Sequence, residues 1–196
     1  MINEEVHKAY EIIKEGGIIL YPTDTVWGIG CDATNAEAVA KIYKLKQRAE
    51  TQSMICLMNG EKMMYNVFKD IPEVAWQIID LSDSSDSEQA KQKPITLILD
   101  KPRNVAANLI ATDNTLGIRI VKEPFCFKLM EKMRKPLVST SANISGQPTP
   151  IGFKDISPEI IKGVDYVVNL HHEKIAGKPS TIIKLTSDSQ VKVIRK

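Results

Sequence analysis

The chain has few cysteines, no glycine-rich phosphate cradle, no long apolar run and almost no charge excess. Its three cysteines, Cys31, Cys56 and Cys126, lie far apart, are odd in number and form no CxxC pair. That spacing argues against a disulfide framework or a structural zinc site, and predicts reduced thiols in a cytoplasmic protein. No stretch reaches the roughly 20 apolar residues of a membrane span, and the start, MINEEVHKAYEIIKEGG, carries acids where a secretion signal is apolar. No membrane partner is expected. Neither GxGxxG nor GxxxxGK[ST] occurs, so neither standard phosphate cradle is available, and the lack of GxSxG disfavours acyl-transfer hydrolysis. Lys and Arg number 26 against 24 Asp and Glu, a net charge of +2 that does not by itself mark a nucleic-acid binder. Any anionic partner must be sought in local clusters.

What is present describes an ordinary globular chain. At 196 residues, 43% hydrophobic and 26% charged, it can bury a core without metal or disulfide staples, and it reads as one α/β domain over 1–196. Val6, Ala9, Tyr10 and Ile13 share a helical face, with Asn3 placed to cap its start and Gly16-Gly17 to end it. Ile18–Tyr21 predicts a buried strand stopped by Pro22, and 22–34 a loop. Asn35 caps a second helix with Val39, Ile42 and Tyr43 inward, ending in Lys41, Lys44, Lys46 and Arg48. Strands are expected at 53–58, 95–99, 116–121 and 136–140, and near 165–168, 181–185 and 191–194. Short helices are expected around Met64–Phe68, from Pro72, at 104–110 and over 123–134. The polar stretch 82–93 predicts a mobile loop.

Four segments carry polar groups beyond what connectors need. Tyr21-Pro-Thr-Asp-Thr-Val-Trp-Gly-Ile-Gly30 follows a strand and offers hydroxyls, a carboxylate and glycine-freed amides that can hold carboxylate or phosphate oxygens. Lys44-Leu-Lys-Gln-Arg48 can grip phosphates, although cations at a helix C-terminus also simply answer the dipole. Ser139-Thr-Ser-Ala-Asn-Ile-Ser-Gly146 follows a strand and suits the polar groups of a small molecule. Lys178-Pro-Ser-Thr181 places another hydroxyl pair at a strand boundary. His171-His172 lacks a third metal ligand nearby, and no metal site is expected.

The order and wording of these segments, with PITLIL, TLGIRIV and PLVSTSANISGQPTP between them, resemble the YrdC/TsaC family, the L-threonylcarbamoyladenylate synthases. The resemblance covers nearly the whole chain and implies the short, single-domain form. It implies a twisted mixed α/β sheet flanked by helices around a deep basic cavity. The activity implied is a nucleotidyltransferase one: L-threonine, bicarbonate and ATP, with Mg2+, are joined into threonylcarbamoyl-AMP with release of pyrophosphate. The product would serve a tRNA-threonylcarbamoyl transfer complex. The alternative is a YrdC/YciO-like protein that binds double-stranded RNA or tRNA and acts in RNA or ribosome maturation, with weak or no synthase activity.

By motif, the resemblance assigns threonine contacts to Thr25, Arg119, Ser139 and Ser180. It assigns catalytic phosphate contacts to Lys46 and Arg48, and nucleotide contacts to Arg48, Thr115, Ser141, Asn143, Thr149 and Arg195. The family pattern KxRP…PL is altered here to Lys46-Gln-Arg48-Ala49 and Ser53-Met54, and the proline-glycine-proline turn before the 95–99 strand is reduced to Pro94. Fewer prolines predict a looser loop at 49–53.

Overall fold

Helix ends set the geometry of the first third of the chain. In the computed structural model, which describes residues 1–83, 94–175, 177, 180–186 and 190–195, α1 (Ile2–Lys14) closes with Gly16 at φ 78. Gly16 N–H bonds to Ile13 O and Gly17 N–H to Ile12 O, the paired closure that a left-handed residue permits. The second helix, α2 (Ala36–Leu45), ends with the same two bonds, from Gln47 N–H to Lys44 O and Arg48 N–H to Tyr43 O, but its left-handed residue is Gln47 at φ 50. At its start Asn35 accepts from Glu37 N–H and Ala38 N–H, as expected. The start of α1 differs from expectation: Asn3 lies inside the helix, behind Met1, which makes no side-chain cap.

The remaining elements are β1 (Ile19–Tyr21), β2 (Gly28–Gly30), β3 (Ile55–Met58), α3 (Glu61–Val67), α4 (Glu73–Asp83), β4 (Ile95–Asp100), β5 (Thr115–Ile120), α5 (Pro124–Met133), β6 (Leu137–Ser141), α6 (Pro158–Gly163), β7 (Tyr166–Val167), β8 (Thr181–Leu185) and β9 (Val191–Arg195). Several of them differ from expectation. The expected loop 22–34 contains β2, which pairs antiparallel with both β1 and β6. The helix α6, started by Ser157 Oγ accepting from Ile160 N–H, was not anticipated. The brief helix expected at 104–110 is a 3-10 turn at Ala107–Leu109. Helix α4 takes in residues 82 and 83 of the expected polar loop, and 84–93 lie outside the described residues.

The strands form one mixed nine-stranded sheet in the order β7-β1-β2-β6-β3-β5-β4-β8-β9. Side chains alternate across it. Leu97, Leu99, Leu116, Ile118, Cys56 and Val138 are buried in the core, which also takes the inward stripe of α5 (Cys126, Leu129, Met130). The intervening positions, Thr96 and Ile98, Thr115, Gly117 and Arg119, Ser139 and Ser141, Ile182 and Lys184, look toward two adjoining cavities on the other side. Among the described residues no helix is long and apolar enough to cross a membrane.

Candidate functional site

The first cavity, of about 290 Å³, is lined by Thr25, Arg48, Arg119, Ser139, Ser141, Thr149, Ser180 and Arg195, together with Thr23, Gly28 and Thr96. Three arginines and a set of hydroxyls therefore share one space. The second, of about 340 Å³, shares Ser53, Met54, Ile55, Thr96 and Ile182 with the first and adds Ile98, Ala111, Gly117 and Ile194, a mostly apolar recess with Thr115, Asp113 and Lys184 on its wall. Most of the residues singled out in the sequence meet here, although their positions run from 25 to 195.

Arg119 is held by the strand β5 and is only 5% exposed. Its Nη2 donates to Asp24 Oδ1 at 2.8 Å and to Thr25 Oγ1 at 3.2 Å, while its buried Nε has no hydrogen-bond partner among the described residues. A buried guanidinium on a cavity wall, with hydrogen-bonding capacity unspent, is a receptor for an anionic oxygen. The loop beside it is internally tied. Thr23 donates to Val26 O at 2.7 Å and accepts from Thr25 N–H at 3.1 Å. With the Thr23 proton spent, the 3.0 Å contact between the two hydroxyls must be Thr25 donating to Thr23. Thr25 Oγ1 therefore faces the cavity as an acceptor.

Arg48 approaches from the left-handed turn at Gln47. Its Nε donates to Gln52 O at 2.6 Å and its Nη2 to Ser53 O at 2.9 Å, so the guanidinium brackets the loop that lacks the family prolines. Burial draws its pKa below the usual arginine value. The Arg195 guanidinium is turned onto Ser180, whose carbonyl accepts from Nε at 3.1 Å and Nη2 at 2.8 Å. Thr115 donates to Asp113 Oδ1 at 2.7 Å, and Lys184 bonds the other oxygen at 2.6 Å; these bonds, Lys184 first, hold the Asp113 carboxyl below its ordinary range.

Two expected contacts are not at the cavity wall. Lys46 is 1% exposed and its Nζ is bound to Ser141 O and Asn143 O, behind the loop rather than in the cavity. The reason is local: Lys46 caps α2, and the turn at Gln47 sends Lys46 and Arg48 apart. Burial first, and the Arg48 charge second, push its pKa down to about 8. The Asn143 carboxamide is folded onto its own loop, donating to Gln147 O at 2.7 Å and Ile144 O at 3.0 Å. Both residues shape the 139–146 segment, which is also tied by Ser145 N–H to Lys46 O at 2.9 Å.

The cysteines are free and buried, and burial raises all three thiol pKa values, Cys56 to about 12, so none is a ready nucleophile. His172 is stacked on Phe153 with centroids 4.0 Å apart, and among the described residues no group of three or more His, Cys, Asp or Glu could hold a metal. Two contributors escaped the sequence reading. Asp24 was read only as part of its loop, and Thr96 is hidden as a β-branched residue inside an apolar strand. The signal for Asp24 was its place between two threonines; for Thr96 it was the single polar residue in ITLIL.

The family model Sua5_yciO_yrdC, described as "Telomere recombination", matches residues 11–196. A Methanocaldococcus jannaschii protein is 34% identical over 194 residues, covering 97% of this chain and 86% of its own. A Pseudoalteromonas translucida protein named threonylcarbamoyl-AMP synthase is 29% identical over 176 residues, 89% of each chain. The structure of Pyrococcus abyssi Sua5 complexed with L-threonine matches with a TM-score of 0.77 at 26% identity, over 92% of this chain and 50% of that one, so the chain spans half its length. Escherichia coli YciO matches with a TM-score of 0.81 at 24% identity, over 100% and 90% of the two chains, a likeness of fold. The chain belongs to the Sua5/YciO/YrdC family.

Proposed function

We propose that the protein is a threonylcarbamoyl-AMP synthase, forming the acyl-adenylate from L-threonine, bicarbonate and ATP. The observation that carries this reading is the buried Arg119, with its unpartnered Nε, lining one cavity together with Thr25, Ser139, Ser180 and Arg48. The names of the relatives and the L-threonine in Pyrococcus abyssi Sua5 support it. Arg119 takes the threonine carboxylate, and Thr25, as an acceptor, takes the amine. The amine and bicarbonate give a carbamate and water. A carbamate oxygen then attacks the α-phosphorus of ATP, and the bond to pyrophosphate breaks. The carbamate is itself the nucleophile, so the protein's part is to align mutually repelling anions and offset charge growing on the phosphates. Arg48 serves the phosphates, with Ser141 and Thr149 beside it, and the mostly apolar recess with Thr115 takes the nucleobase side. Magnesium enters with ATP as part of the substrate. The product is handed to a complex that transfers the threonylcarbamoyl group to tRNA.

The test is incubation with ATP, L-threonine, bicarbonate and magnesium, following pyrophosphate and the acyl-adenylate by mass spectrometry. Pyrophosphate release that requires all four is the expected result. Equal ATP turnover without threonine refutes the reading, and inactivity together with tight binding of duplex RNA would favour the RNA-binding alternative.

A further inference from the structure

We infer that Thr96 is a positioning residue that fixes the Ser180 hydroxyl as a hydrogen-bond donor toward the amino-acid substrate. The inference rests on the synthase reading for the identity of that substrate, and on hydrogen-bond counting for the rest. Thr96 stands on β4 and is 1% exposed, with its Oγ1 2.8 Å from Ser180 Oγ, its sole hydrogen-bond partner among the described residues. Its methyl group is turned toward Gly117, whose added Cβ would lie 3.8 Å from Thr96 Cγ2, so the hydroxyl is aimed at β8.

Ser180 Oγ also lies 3.3 Å from Arg195 Nη2. A guanidinium only donates, so Ser180 accepts there. The remaining choice is the direction of the Thr96–Ser180 bond. If Ser180 donated, the Thr96 proton, on a residue only 1% exposed, would have no acceptor among the described residues, a state that protein interiors rarely contain. Thr96 therefore donates. Both lone pairs of Ser180 Oγ are then engaged, and its proton is free for the cavity that Ser180 lines with Arg119. Such a hydroxyl binds an oxygen acceptor, from a carboxylate, carbamate or carbonyl, and offers nothing to an ammonium group, which has only protons to give. Thr25 has the opposite sense, as an acceptor. Two hydroxyls of opposed polarity thus face one ligand, which orients an amino acid with its N–H toward Thr25 and an oxygen toward Ser180.

The experiment is steady-state pyrophosphate release with threonine varied, for wild type, Thr96→Val, Thr96→Ser, Ser180→Ala and the Thr96→Val/Ser180→Ala pair. Thr96→Val is expected to raise the threonine KM roughly threefold to tenfold, the range of one neutral hydrogen bond, with kcat and the ATP KM near wild type. Thr96→Ser restores the wild-type value. In the Ser180→Ala background Thr96→Val adds nothing, because the hydroxyl it orients is gone. Thr96→Cys, of similar volume and a weak donor, replaces the valine variant if that one does not fold, with the same expected rise. An unchanged threonine KM, failure of serine to rescue, or additive losses in the pair overturn the inference. A wild type without threonine-dependent release refutes the synthase reading instead. Calorimetric binding of L-threonine to the same variants then tests Thr96 alone, and equal affinities overturn its role.

Discussion

Replacing Arg119 by methionine removes the guanidinium while keeping much of the stem that fills the space beside β5. Three consequences follow from its surroundings. The substrate carboxylate loses a charge-assisted hydrogen bond, worth about 1.5–3 kcal/mol, which corresponds to a threonine KM higher by roughly tenfold to 150-fold. Thr25 loses its 3.2 Å donor, so its Oγ1 gains a free lone pair and orients the amine less strictly. Asp24 loses its 2.8 Å partner, but its side chain is 25% exposed and water can take over part of the solvation. The stability cost is that of removing one hydrogen-bonded charge partner from a partly exposed carboxylate, about 1–3 kcal/mol, and the variant is expected to remain folded. Initial rates with threonine and ATP varied separately, together with a thermal melt, check all three. A threonine KM equal to wild type, or equal rises in both KM values, would refute the placement of the carboxylate at Arg119.

The other expectations are narrower. Arg48→Ala is expected to lower the rate of adenylate formation at least tenfold with the threonine KM little changed, since a charged phosphate contact is worth about 1.5–3 kcal/mol; a normal rate in a folded variant contradicts the phosphate role. For Lys46, with a folded pKa of about 8 against the ordinary lysine value of 10.5, the sign is that the fold disfavours the charged form. That penalty is fully present below about pH 8 and is relieved as pH rises toward 10.5, so wild type should gain on Lys46→Met by up to about 3 kcal/mol over that window, measured by urea unfolding at both limits. A constant difference would show that Lys46 keeps an ordinary pKa. Gly30→Ala would place a Cβ 2.1 Å from Val138 O, a backbone atom that cannot yield, and is expected to cost about 3 kcal/mol or leave no folded protein. Wild-type stability in that variant would mean that β2 and β6 are not held as closely as described.

Much of this was legible in the sequence where local rules act alone. Asn35 capped its helix, Gly16 ended one, and the alternation in TLGIRI put Arg119 opposite Ile118 and Ile120. The strand β2 was not legible because glycines are poor strand formers; Gly30 is needed only because Val138 O and the Tyr21 ring pass so near, a fact of tertiary packing. The divergence of Lys46 from Arg48 was hidden because the left-handed turn falls on Gln47, a residue that gives no such signal. The direction of the Lys46 ammonium, into two carbonyls of a distant loop, follows from pairing of β2 and β6 rather than from anything near residue 46. Thr96 is hidden for the opposite reason: its β-branch fits a strand so well that the residue type alone does not mark its hydroxyl as functional.

The sheet order has a kinetic side. The strands that wall the cavity are joined by pairings distant in the chain: Ile95 with Thr181 in parallel, Ile55 with Gly117 in parallel and with Ser139 antiparallel. None can form until a long loop has closed, and such non-local contacts make folding slow compared with helix formation. The helices are free to form early, while Thr25, Arg119 and Ser180 meet only when strands from both ends of the chain have docked. A ligand that touches all three bridges those ends. It draws its binding energy from the fully assembled sheet alone, so saturating substrate should raise the unfolding midpoint of the whole chain, by an amount that grows with the logarithm of its concentration.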